Sequence, residues 1–496
     1  MQRQQVRSPA VHRTDVVLTP DSQRVLGRPH VPGDDPAAEG EPRLAGIVQR
    51  VLRLSGDEVR AELADVERRF RSRHRVLDTM LSRNAERVAH LLGDSDDDRR
   101  RLVGAYLTQE HAFQAAALTN PSMVRAPDQT GVPAGSCRFL LSLRAIGEGH
   151  ISSITFQTGT VDEHGGVAIE KVGPHAETGE RRGAVYERTH FADKLLELGA
   201  DLSCTTPVLE CLTEEFDSAA LESAIAVLDD QPRALVHESV QLMRWLAASN
   251  YLLDFDPAAT ALYERLIWPE GPFESRGMED ARFVRFGYED GSTTYYATYT
   301  AYDGFQILPQ LIETSDFACF KISTLAGRSA QNKGMALFPR RIDGNYVALS
   351  RPDRENIHLL RSPDPRSWQT PSHVLRRPQH AWEAIQMGNC GSPLETEHGW
   401  LVLTHGVGAM RTYRLGAMLL DLEHPERIIA DLPEPILEAS PEERDGYVPN
   451  VVYSCGGMLH GDHLVLPYGA SDQQTRIATV PVAELLEALL AHPVSP

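Results

Sequence analysis

The sequence predicts a mainly β protein, a five-bladed β-propeller that carries an N-terminal α-helical extension. Four segments in the second half of the chain share one plan: an apolar strand, a glycine turn, a strand of alternating aromatic and aliphatic residues, and a polar cluster. Their turn glycines are Gly291, Gly344, Gly399 and Gly461, and the spacing is within the range of about 40 to 60 residues expected for propeller blades. A hairpin pattern at residues 135–160 supplies a fifth unit.

Composition and charge restrict the classes of function. The chain has 496 residues, of which 42% are hydrophobic and 24% charged, as in ordinary globular proteins. No apolar run reaches the roughly 18 residues that span a bilayer, and the N-terminus lacks the pattern of a secretory signal. The net charge of −20 disfavours nucleic acid or an anionic membrane as partner. Six scattered cysteines without a CxxC pair argue against a disulfide framework or a zinc site, and are typical of a cytoplasmic protein.

The N-terminal quarter predicts an arm followed by helices. Residues 1–43 are polar and rich in Pro, Gly and Asp, which predicts a disordered, mobile arm. Residues 44–130 then predict a helical bundle. Ser55 and Glu58 have the spacing of a capping box, and Gly93 is placed to end a helix. This block contains no obvious chemistry, and we expect it to be the surface through which a homo-oligomer would form.

The remaining chain, residues 131–490, is expected to be the propeller, with a mixed and partly helical insertion at about 184–265. In a propeller the equivalent strand ends share one face near the axis. The polar clusters that follow the same strand of each repeat should therefore converge on a central pocket.

Those clusters contain the candidate chemistry. They include Tyr302 and Asp303 after the first repeat, Arg351 after the second, His405 after the third and Asp472 after the last. Each cluster alone can be explained by turn chemistry, since Asp-Gly is a favoured turn pair. Recurrence at equivalent places in four repeats favours a site.

Two further segments bring charged groups. Glu279, Asp280 and Arg282 lie just before a strand, and carboxylates beside an arginine suit the recognition of sugar hydroxyls; a structural ion pair explains the same spacing equally well. The segment 333–354 has a local excess of cations in an acidic chain. Its Arg351 stands at the end of a strand, where a guanidinium can grip phosphate through two parallel hydrogen bonds. No histidine spacing indicates a metal site.

Six motifs occur in one order: "GMEDAR", "YTAYDG", "KGMALFPRRIDGNYVALSRP", "GSPLETEHGWLVLTHGV", "YRLGAMLLDL" and "YVPNVVYSCGG…LVLPYGASD". Together they resemble glycoside hydrolase family 130 over about residues 135–490. That family comprises five-bladed β-propellers that act on β-mannosides, mostly as inverting phosphorylases and in some branches as hydrolases. The N-terminal helical block is an addition that shorter members lack.

The resemblance implies roles for individual residues. Asp303 matches the single catalytic acid, which passes its proton through a hydroxyl of the bound mannosyl unit. Asp280 and Asp472 resemble residues that hold mannosyl hydroxyls. The remaining substrate-binding candidates are their neighbours Glu279, Arg282 and Tyr302.

The resemblance also bears on phosphate. Lys333 and Arg351 fall where phosphorylases keep cationic phosphate ligands, and Arg414 falls near a further phosphate contact. Glu395 is a departure, because many of the phosphorylases have lysine at this place. Hydrolytic branches carry acidic residues that can activate water, so Glu395 is the candidate hydrolytic base.

The expected function is an inverting β-mannoside phosphorylase that uses a β-mannoside oligosaccharide and inorganic phosphate, with no other cofactor, and releases α-mannose 1-phosphate. An inverting hydrolase needs a base that activates water, whereas phosphate is already anionic and must only be held. Three candidate cations against one carboxylate favour phosphorolysis. The alternatives are an inverting β-mannosidase on the same scaffold, a sugar-binding propeller without catalysis, and a scaffold protein whose helical block is the active part.

Overall fold

A computed structural model shows a mainly β protein with two compact units. The residues that it describes are 9–33, 43–228 and 233–494. The smaller unit contains the described residues of 21–115 and 173–177, and the larger unit contains those of 1–20, 116–172 and 178–496. None of the helices in the described part is long and apolar enough to cross a membrane.

The first quarter of the chain holds three strands and five helices. In order these are β1 (His12–Leu18), β2 (Leu26–Pro29), α1 (Arg43–Leu52), α2 (Gly56–Phe70), α3 (Leu77–Glu86), α4 (Ala89–Leu92), α5 (Asp97–Tyr106) and β3 (Thr108–His111). All except β1 belong to the smaller unit, where β2 pairs with β3. The predicted capping box of Ser55 and Glu58 is confirmed at the start of α2, and Gly93 ends α4 as predicted.

The larger unit contains five antiparallel meanders, numbered here in chain order. Meander 1 consists of β4 (Ala117–Arg125), β5 (Cys137–Ile146), β6 (Ser152–Val161) and β7 (Val167–Ile169). A segment of short strands and helices follows: β8 (Glu180–Gly183), β9 (Tyr186–Glu187), α6 (Arg188–Glu197), α7 (Leu202–Glu210), β10 (Glu215–Phe216), α8 (Ser218–Ile225), α9 (Arg233–Ala248), β11 (Tyr251–Asp254) and β12 (Leu266–Ile267).

The other meanders follow without further α-helices until α10 near the end of the chain. Meander 2 is β13 (Gly277–Gly287), β14 (Thr293–Tyr302), β15 (Ile307–Thr314) and β16 (Cys319–Thr324), and meander 3 is β17 (Lys333–Leu337), β18 (Tyr346–Arg351), β19 (Ile357–Ser362) and β20 (His373–Arg376). Meander 4 is β21 (Gln386–Asn389), β22 (Leu394–Thr396), β23 (Gly399–Val407), β24 (Tyr413–Leu420) and β25 (Ile428–Asp431). Meander 5 is β26 (Val452–Tyr453), β27 (Met458–His460), β28 (His463–Ala470) and β29 (Gln474–Pro481), and α10 (Val482–Leu490) follows it.

Local turn chemistry explains why the hairpins lie where the sequence predicts them. Gly291 connects β13 to β14 with φ 83°, and Gly344 connects β17 to β18 with φ 73°. A left-handed φ is strained for residues with a Cβ, so glycine defines these turns. The predicted hairpin at 135–160 is also confirmed, as β5 and β6 pair along their whole length.

The meanders contact one another in chain order. The first strand β4 of meander 1 contacts β13, strands β13 and β14 contact β17, strands β17 and β18 contact β21, and β24 contacts β26. Strands β28 and β29 of meander 5 contact β4 in turn. Hydrogen bonds between side chains of β4 and β13, of β5 and β13, and of β17 and β13 place charged residues near the starts of the first strands of meanders 1 to 3.

Two of the predicted boundaries differ from the structure. The sequence predicts a mobile arm at residues 1–43, but the structure has two strands there. β1 pairs with β29 as the outer strand of meander 5, and β2 pairs with β3. The rest of the predicted arm at residues 1–8 and 34–42 lies outside the described residues. The helical bundle predicted to reach residue 130 ends with α5, since β4 starts at Ala117. The sequence of β4, "ALTNPSMVR", conceals a strand because Asn, Pro and Ser interrupt its apolar pattern.

Candidate functional site

In meanders 4 and 5 the short strands β21 and β22, and β26 and β27, pair with the same neighbour and together count as the first strand, so that β23 and β28 are the second strands. With that count, the start of the first strand lies beside the end of the second strand in all five meanders. The paired residues are Ala117 with Ile146, Gly277 with Tyr302, Lys333 with Arg351, Gln386 with Val407 and Val452 with Ala470. The turn between the second and third strands follows directly. Side chains from two strands and one turn of each meander are therefore available at the same end.

Near this end, β-bulges in two of the first strands, β4 and β13, change the direction of polar side chains. The register shifts between Thr119 and Ser122 in β4 and between Glu279 and Arg282 in β13. Inside these bulges Asn120 has φ 49° and Asp280 has φ 56°. A bulge redirects the side chain at the point where pairing is interrupted, and here the Asn120 amide donates a hydrogen bond to Asp280 Oδ1.

Glu279 lies between two cations. Its Oε1 accepts a hydrogen bond from Arg144 Nη2 at 2.7 Å, and its Oε2 accepts one from Lys333 Nζ. Glu279 thereby joins β5, β13 and β17, strands from three meanders. Of the two explanations left open for this carboxylate, the ion pair is present; sugar binding by its remaining lone pairs stays a prediction.

The carboxylate of Asp280 is held ionised. Burial opposes ionisation, but the charges of Arg282, Arg144 and Lys333 outweigh it and lower the pKa of Asp280 below its usual value. Such a carboxylate accepts hydrogen bonds and does not supply a proton at neutral pH.

Arg282 differs from the prediction that it binds substrate. It is 2% exposed, and Nε donates to Cys390 O at 2.9 Å, Nη1 to Asp280 O at 2.9 Å and Nη2 to the Tyr453 hydroxyl at 2.8 Å. Because all three guanidinium nitrogens donate to the protein, Arg282 is a buried residue that holds Asp280 and Tyr453 in position. Its sequence motif could not reveal this, since two of the three acceptors, Cys390 O and the Tyr453 hydroxyl, come from meanders 4 and 5.

Asp472 lies in the turn between β28 and β29 with φ 49°. Burial raises the pKa of Asp472 to about 6; Arg144 opposes the shift, and the nearby charge of Asp280 adds to it. Asp280 and Asp472, from meanders 2 and 5, are thus close enough to affect each other, and their pKa values are shifted in opposite directions.

Lys333 and Arg351 face each other across β17 and β18. Like charges on directly opposed residues are unfavourable in a sheet. Lys333 is paired with Glu279, but no carboxylate of the described residues lies within ion-pair distance of Arg351. Its contact is with His405, at 3.3 Å between Nη1 and Nε2. Burial, followed by the charges of Arg351 and Arg282, lowers the pKa of His405 well below its usual value, so this imidazole is neutral and accepts the bond.

Asp303 forms the turn after β14. Its Oδ1 accepts hydrogen bonds from the amides of Phe305 at 2.7 Å and Gln306 at 2.6 Å, while Oδ2 has no hydrogen-bond partner within the described ranges. The Tyr302 hydroxyl closes the same turn by donating to Gly304 O at 2.9 Å. Thr300 pairs with Glu279, so Asp303 is about 10 Å further along the strand direction than Glu279. One carboxylate oxygen therefore makes the turn, and the other is left without a hydrogen-bond partner in the part of the chain that the structure describes.

Glu395 is not at this end of the strands. It pairs with Arg340 at 2.8 Å between Oε1 and Nη2 and contributes to a cavity of about 290 Å³. That cavity is lined by the later halves of the first strands, including Val124 of β4 and Val284 of β13. The candidate hydrolytic base is therefore distant from Asp280 and Lys333. The sequence could not tell at which end of the meander this residue lies.

Arg414 also has another partner than predicted. Its Nε donates to Glu438 Oε2 at 2.8 Å, and the pair is largely exposed. In this part of the chain it is Arg411, in the turn before β24, whose charge acts on Asp472, in addition to that of Arg144. Arg411 lies in the turn and Arg414 lies three residues later in β24, and a local motif cannot tell which of the two faces the site.

Sequence reasoning missed three residues of the cluster, Asn120, Arg144 and Tyr453. It named His405 as part of a polar cluster but assigned it no role, and the structure places it against Arg351. Asn120 lies near the start of β4 and Arg144 near the end of β5, the same end of meander 1 at which Ala117 pairs with Ile146. The signal that would have found them is the repeat itself, which requires a polar cluster in meander 1 as in the others.

The raised pKa of Asp472 predicts a pH-dependent gain in stability for Asp472→Asn. The usual pKa of 3.8 is raised to about 6, so the folded protein holds a proton that the unfolded chain releases. The stability contributed by this group is complete below about pH 4 and is lost as the pH rises through 6. We expect the free energy of unfolding of the variant to exceed that of the wild type by about 3 kcal/mol at pH 7 and to match it near pH 4, in urea titrations.

The matched control is Asp462→Asn, which changes an exposed carboxylate of the same meander. Asparagine tolerates the left-handed backbone of Asp472, so the substitution adds no strain there. A gain of constant size at every pH would contradict the role of burial at Asp472.

Known proteins resemble this chain in sequence. A model of glycoside hydrolase family 130, described as beta-1,4-mannooligosaccharide phosphorylase, matches residues 257–490. A 1,2-beta-oligomannan phosphorylase of Thermoanaerobacter sp. (strain X514) is 32% identical over 294 residues, covering 56% of this chain and 96% of that protein. A beta-1,2-mannobiose phosphorylase of the same organism is 35% identical over 219 residues, covering 42% of this chain and 69% of that protein.

A solved structure, the beta-1,2-mannobiose phosphorylase from Listeria innocua in complex with beta-1,2-mannobiose, superposes with a TM-score of 0.46 and 23% identity. The superposition covers 75% of this chain and 92% of that one. In sequence, the Thermoanaerobacter oligomannan phosphorylase is matched over nearly its full length at more than 30% identity. The chain belongs to glycoside hydrolase family 130.

Proposed function

We propose that this protein is an inverting β-mannoside phosphorylase that converts a β-mannoside oligosaccharide and inorganic phosphate to α-mannose 1-phosphate and a shortened saccharide. The observation that carries the proposal is Arg351, a cation without a carboxylate partner among the described residues, opposite a second cation, Lys333. A phosphate dianion bound there would offset the charge of Arg351 and share Lys333 with Glu279, its present ion-pair partner. The names of the matched relatives, phosphorylases of β-1,2- and β-1,4-linked mannosides, support the same reaction and leave the linkage open.

The proposed architecture is a five-bladed propeller, with each meander as one blade. The contacts between consecutive meanders, and those of β28 and β29 with β4, support a closed ring. In such a ring β1 completes the last blade as its outer strand. The pocket would lie on the axis, where Asp280, Lys333 and Asp472 approach from different blades.

The proposed mechanism uses Asp303 as the acid. Its free Oδ2 gives a proton, through a hydroxyl of the mannosyl unit, to the glycosidic oxygen. That carbon–oxygen bond breaks while a phosphate oxygen forms a new bond to the anomeric carbon from the opposite face, which inverts the configuration. The proton stays on the departing saccharide, and Arg351 and Lys333 hold the phosphate. Asp280 and Asp472 hold mannosyl hydroxyls.

The hydrolytic alternative needs a base that activates water on the face opposite the acid. The candidate, Glu395, is paired with Arg340 beside the cavity at the other end of the first strands, which favours phosphorolysis. Phosphate is the only co-reactant in this proposal, and a cytoplasmic setting agrees with the use of a mannose phosphate.

The reaction is tested by its dependence on phosphate. The protein is incubated with β-1,2- or β-1,4-mannobiose, with and without inorganic phosphate, and products are followed by phosphorus and proton NMR. We expect α-mannose 1-phosphate to form only with phosphate, and Glu395→Gln to retain this activity. Free mannose released at the same rate without phosphate would establish hydrolysis instead, and no turnover in either case would favour a sugar-binding protein.

A further inference from the structure

A buried glutamate precedes the first strand of three meanders. Glu274 comes before β13, Glu383 before β21 and Glu443 before β26, and each ends a single turn of 3₁₀-helix. They are 0%, 1% and 1% exposed. Each carboxylate accepts a hydrogen bond from the backbone amide three residues earlier, from Gly271 at 2.9 Å, His380 at 3.1 Å and Ser440 at 3.0 Å. Burying a carboxylate is costly unless it is hydrogen-bonded, so its recurrence at one place indicates that the turn has a task.

The glutamate turns are bonded to the end of the second strand of the same meander. In meanders 2 and 4 the residue two positions after the glutamate donates its amide to the last carbonyl of that strand. The pairs are Arg276 with Tyr302 O and Ile385 with Val407 O, both at 2.9 Å. In meander 5 the Ser471 hydroxyl donates to Glu443 O at 2.5 Å. In each case the glutamate turn supports the turn that follows the second strand.

In meander 2 the supported turn contains Asp303. The Ser275 hydroxyl donates to Asp303 O at 3.4 Å. Gly304 has φ 102°, and a Cβ at this position would lie 3.4 Å from Arg276 Cγ, so the Arg276 side chain packs beside the glycine. The Asp303 carboxylate bonds only to amides that follow it in the chain. The backbone on the preceding side of Asp303 is therefore held by Ser275 and Arg276.

Glu274 is in turn fixed by hydrogen bonds to both of its oxygens. Oε1 accepts one from the Tyr299 hydroxyl of β14, and the Tyr251 hydroxyl of β11 lies 3.3 Å from both oxygens. Oε2 accepts from the amides of Gly271 and, at 3.3 Å, Glu270. Burial raises the pKa of Glu274, and the bonds from Tyr299 and Gly271 oppose this shift. A fully buried carboxylate with these partners cannot touch a saccharide, so its effect on the reaction must pass through the turn.

We propose that Glu274 is a positioning residue for Asp303. Through Ser275 and Arg276 it fixes the backbone from Tyr302 to Gly304, and so keeps the second carboxylate oxygen of Asp303 directed at the bound saccharide. The inference rests on the proposed function and adds to it a residue that does not contact the substrate. Misplacing a reacting group by about 1 Å lowers rates by up to about 100-fold, so loosening this support should have a measurable effect on kcat.

Tyr299→Phe tests the inference, because it removes a hydroxyl bonded to Glu274 and keeps the buried ring. The matched control is Tyr295→Phe in the same strand. Both tyrosines are 2% exposed, and the Tyr295 hydroxyl donates to Arg125 O at the other end of β14. We expect kcat for phosphorolysis of β-mannobiose to fall about 3- to 10-fold in Tyr299→Phe and to stay within about 2-fold in the control, with the KM for phosphate unchanged in both. Glu274→Gln should lower kcat about 10- to 100-fold.

A second substrate separates a misplaced acid from a loss of folded protein. The leaving group of 2,4-dinitrophenyl β-mannoside departs without a proton, so kcat with this substrate should change less than about 2-fold in Tyr299→Phe. An equal fall with both substrates would overturn the inference, and so would an unchanged kcat on mannobiose. If the wild type does not accept the aryl mannoside, equal values of kcat on mannobiose in the two phenylalanine variants would overturn it. A wild type that does not turn over mannobiose would overturn the proposed function itself.

Discussion

Replacing Asp303 by asparagine is expected to lower kcat for phosphorolysis by about 10²- to 10⁴-fold, the usual contribution of a positioned acid. Asparagine keeps an Oδ1 that accepts hydrogen bonds from the amides of Phe305 and Gln306, which Asp303 now holds at 2.7 and 2.6 Å. The turn is thus preserved, while the other carboxylate oxygen is replaced by an amide nitrogen that cannot serve as the proposed acid. The measurement is kcat with saturating mannobiose and phosphate, together with saccharide affinity by calorimetry, which should be retained.

Asp290→Asn is the matched control. Asp290 lies in the turn at the opposite end of the same meander, and its Oδ1 accepts a hydrogen bond from the Ser292 amide at 2.9 Å. This variant makes the same chemical change in a similar turn and should keep full activity. If Asp303→Asn kept more than about a tenth of wild-type kcat, Asp303 would be a turn residue and not the acid.

Arg351→Gln is expected to raise the KM for phosphate about 100-fold, because two charge-assisted hydrogen bonds to the anion are lost. The effect should fall on phosphate rather than on folding, since Arg351 has no carboxylate partner among the described residues that the change would leave unpaired. Glutamine can still donate one hydrogen bond to the neutral His405. Initial rates at varied phosphate and fixed saccharide measure the effect, and the KM for saccharide should change little.

The control is Arg340→Gln, the same substitution in the same meander. Arg340 pairs with Glu395 and lies over the Trp400 ring at 4.8 Å, so its loss should leave the KM for phosphate unchanged. An equal increase in the KM for phosphate in Arg351→Gln and Arg340→Gln would indicate a general effect of lost positive charge. No increase in Arg351→Gln would show that phosphate is bound elsewhere, and would remove the main support for phosphorolysis.

Local features of the fold were readable from the sequence because neighbouring residues encode them. The glycines of the hairpin turns and the capping box of α2 are examples. Strands β1 and β4 were missed for two different reasons. β1 is polar and depends on pairing with β29, more than 450 residues away along the chain, and β4 accommodates Pro121 by a bulge that no propensity scale anticipates.

For the candidate site too, the sequence motifs found some residues that the structure brings together and others that it does not. Glu279, Asp280, Lys333 and Arg351 were proposed from motifs, and the structure places them together. Arg282, Arg414 and Glu395 were proposed with equal reason and have other partners. Charged residue type and strand position were the same for both groups, so the motifs did not separate them.

The sequence by itself determined the family of the chain, its mainly β character and the place of Asp303 in a turn after a strand. Only the tertiary structure decided which cation has no carboxylate partner among the described residues, which arginine is a buried support, and which carboxylate has a raised pKa. The physical reason is that turns and caps depend on residues a few positions apart. Ion pairing and burial depend on groups that separate strands bring within a few ångströms of each other.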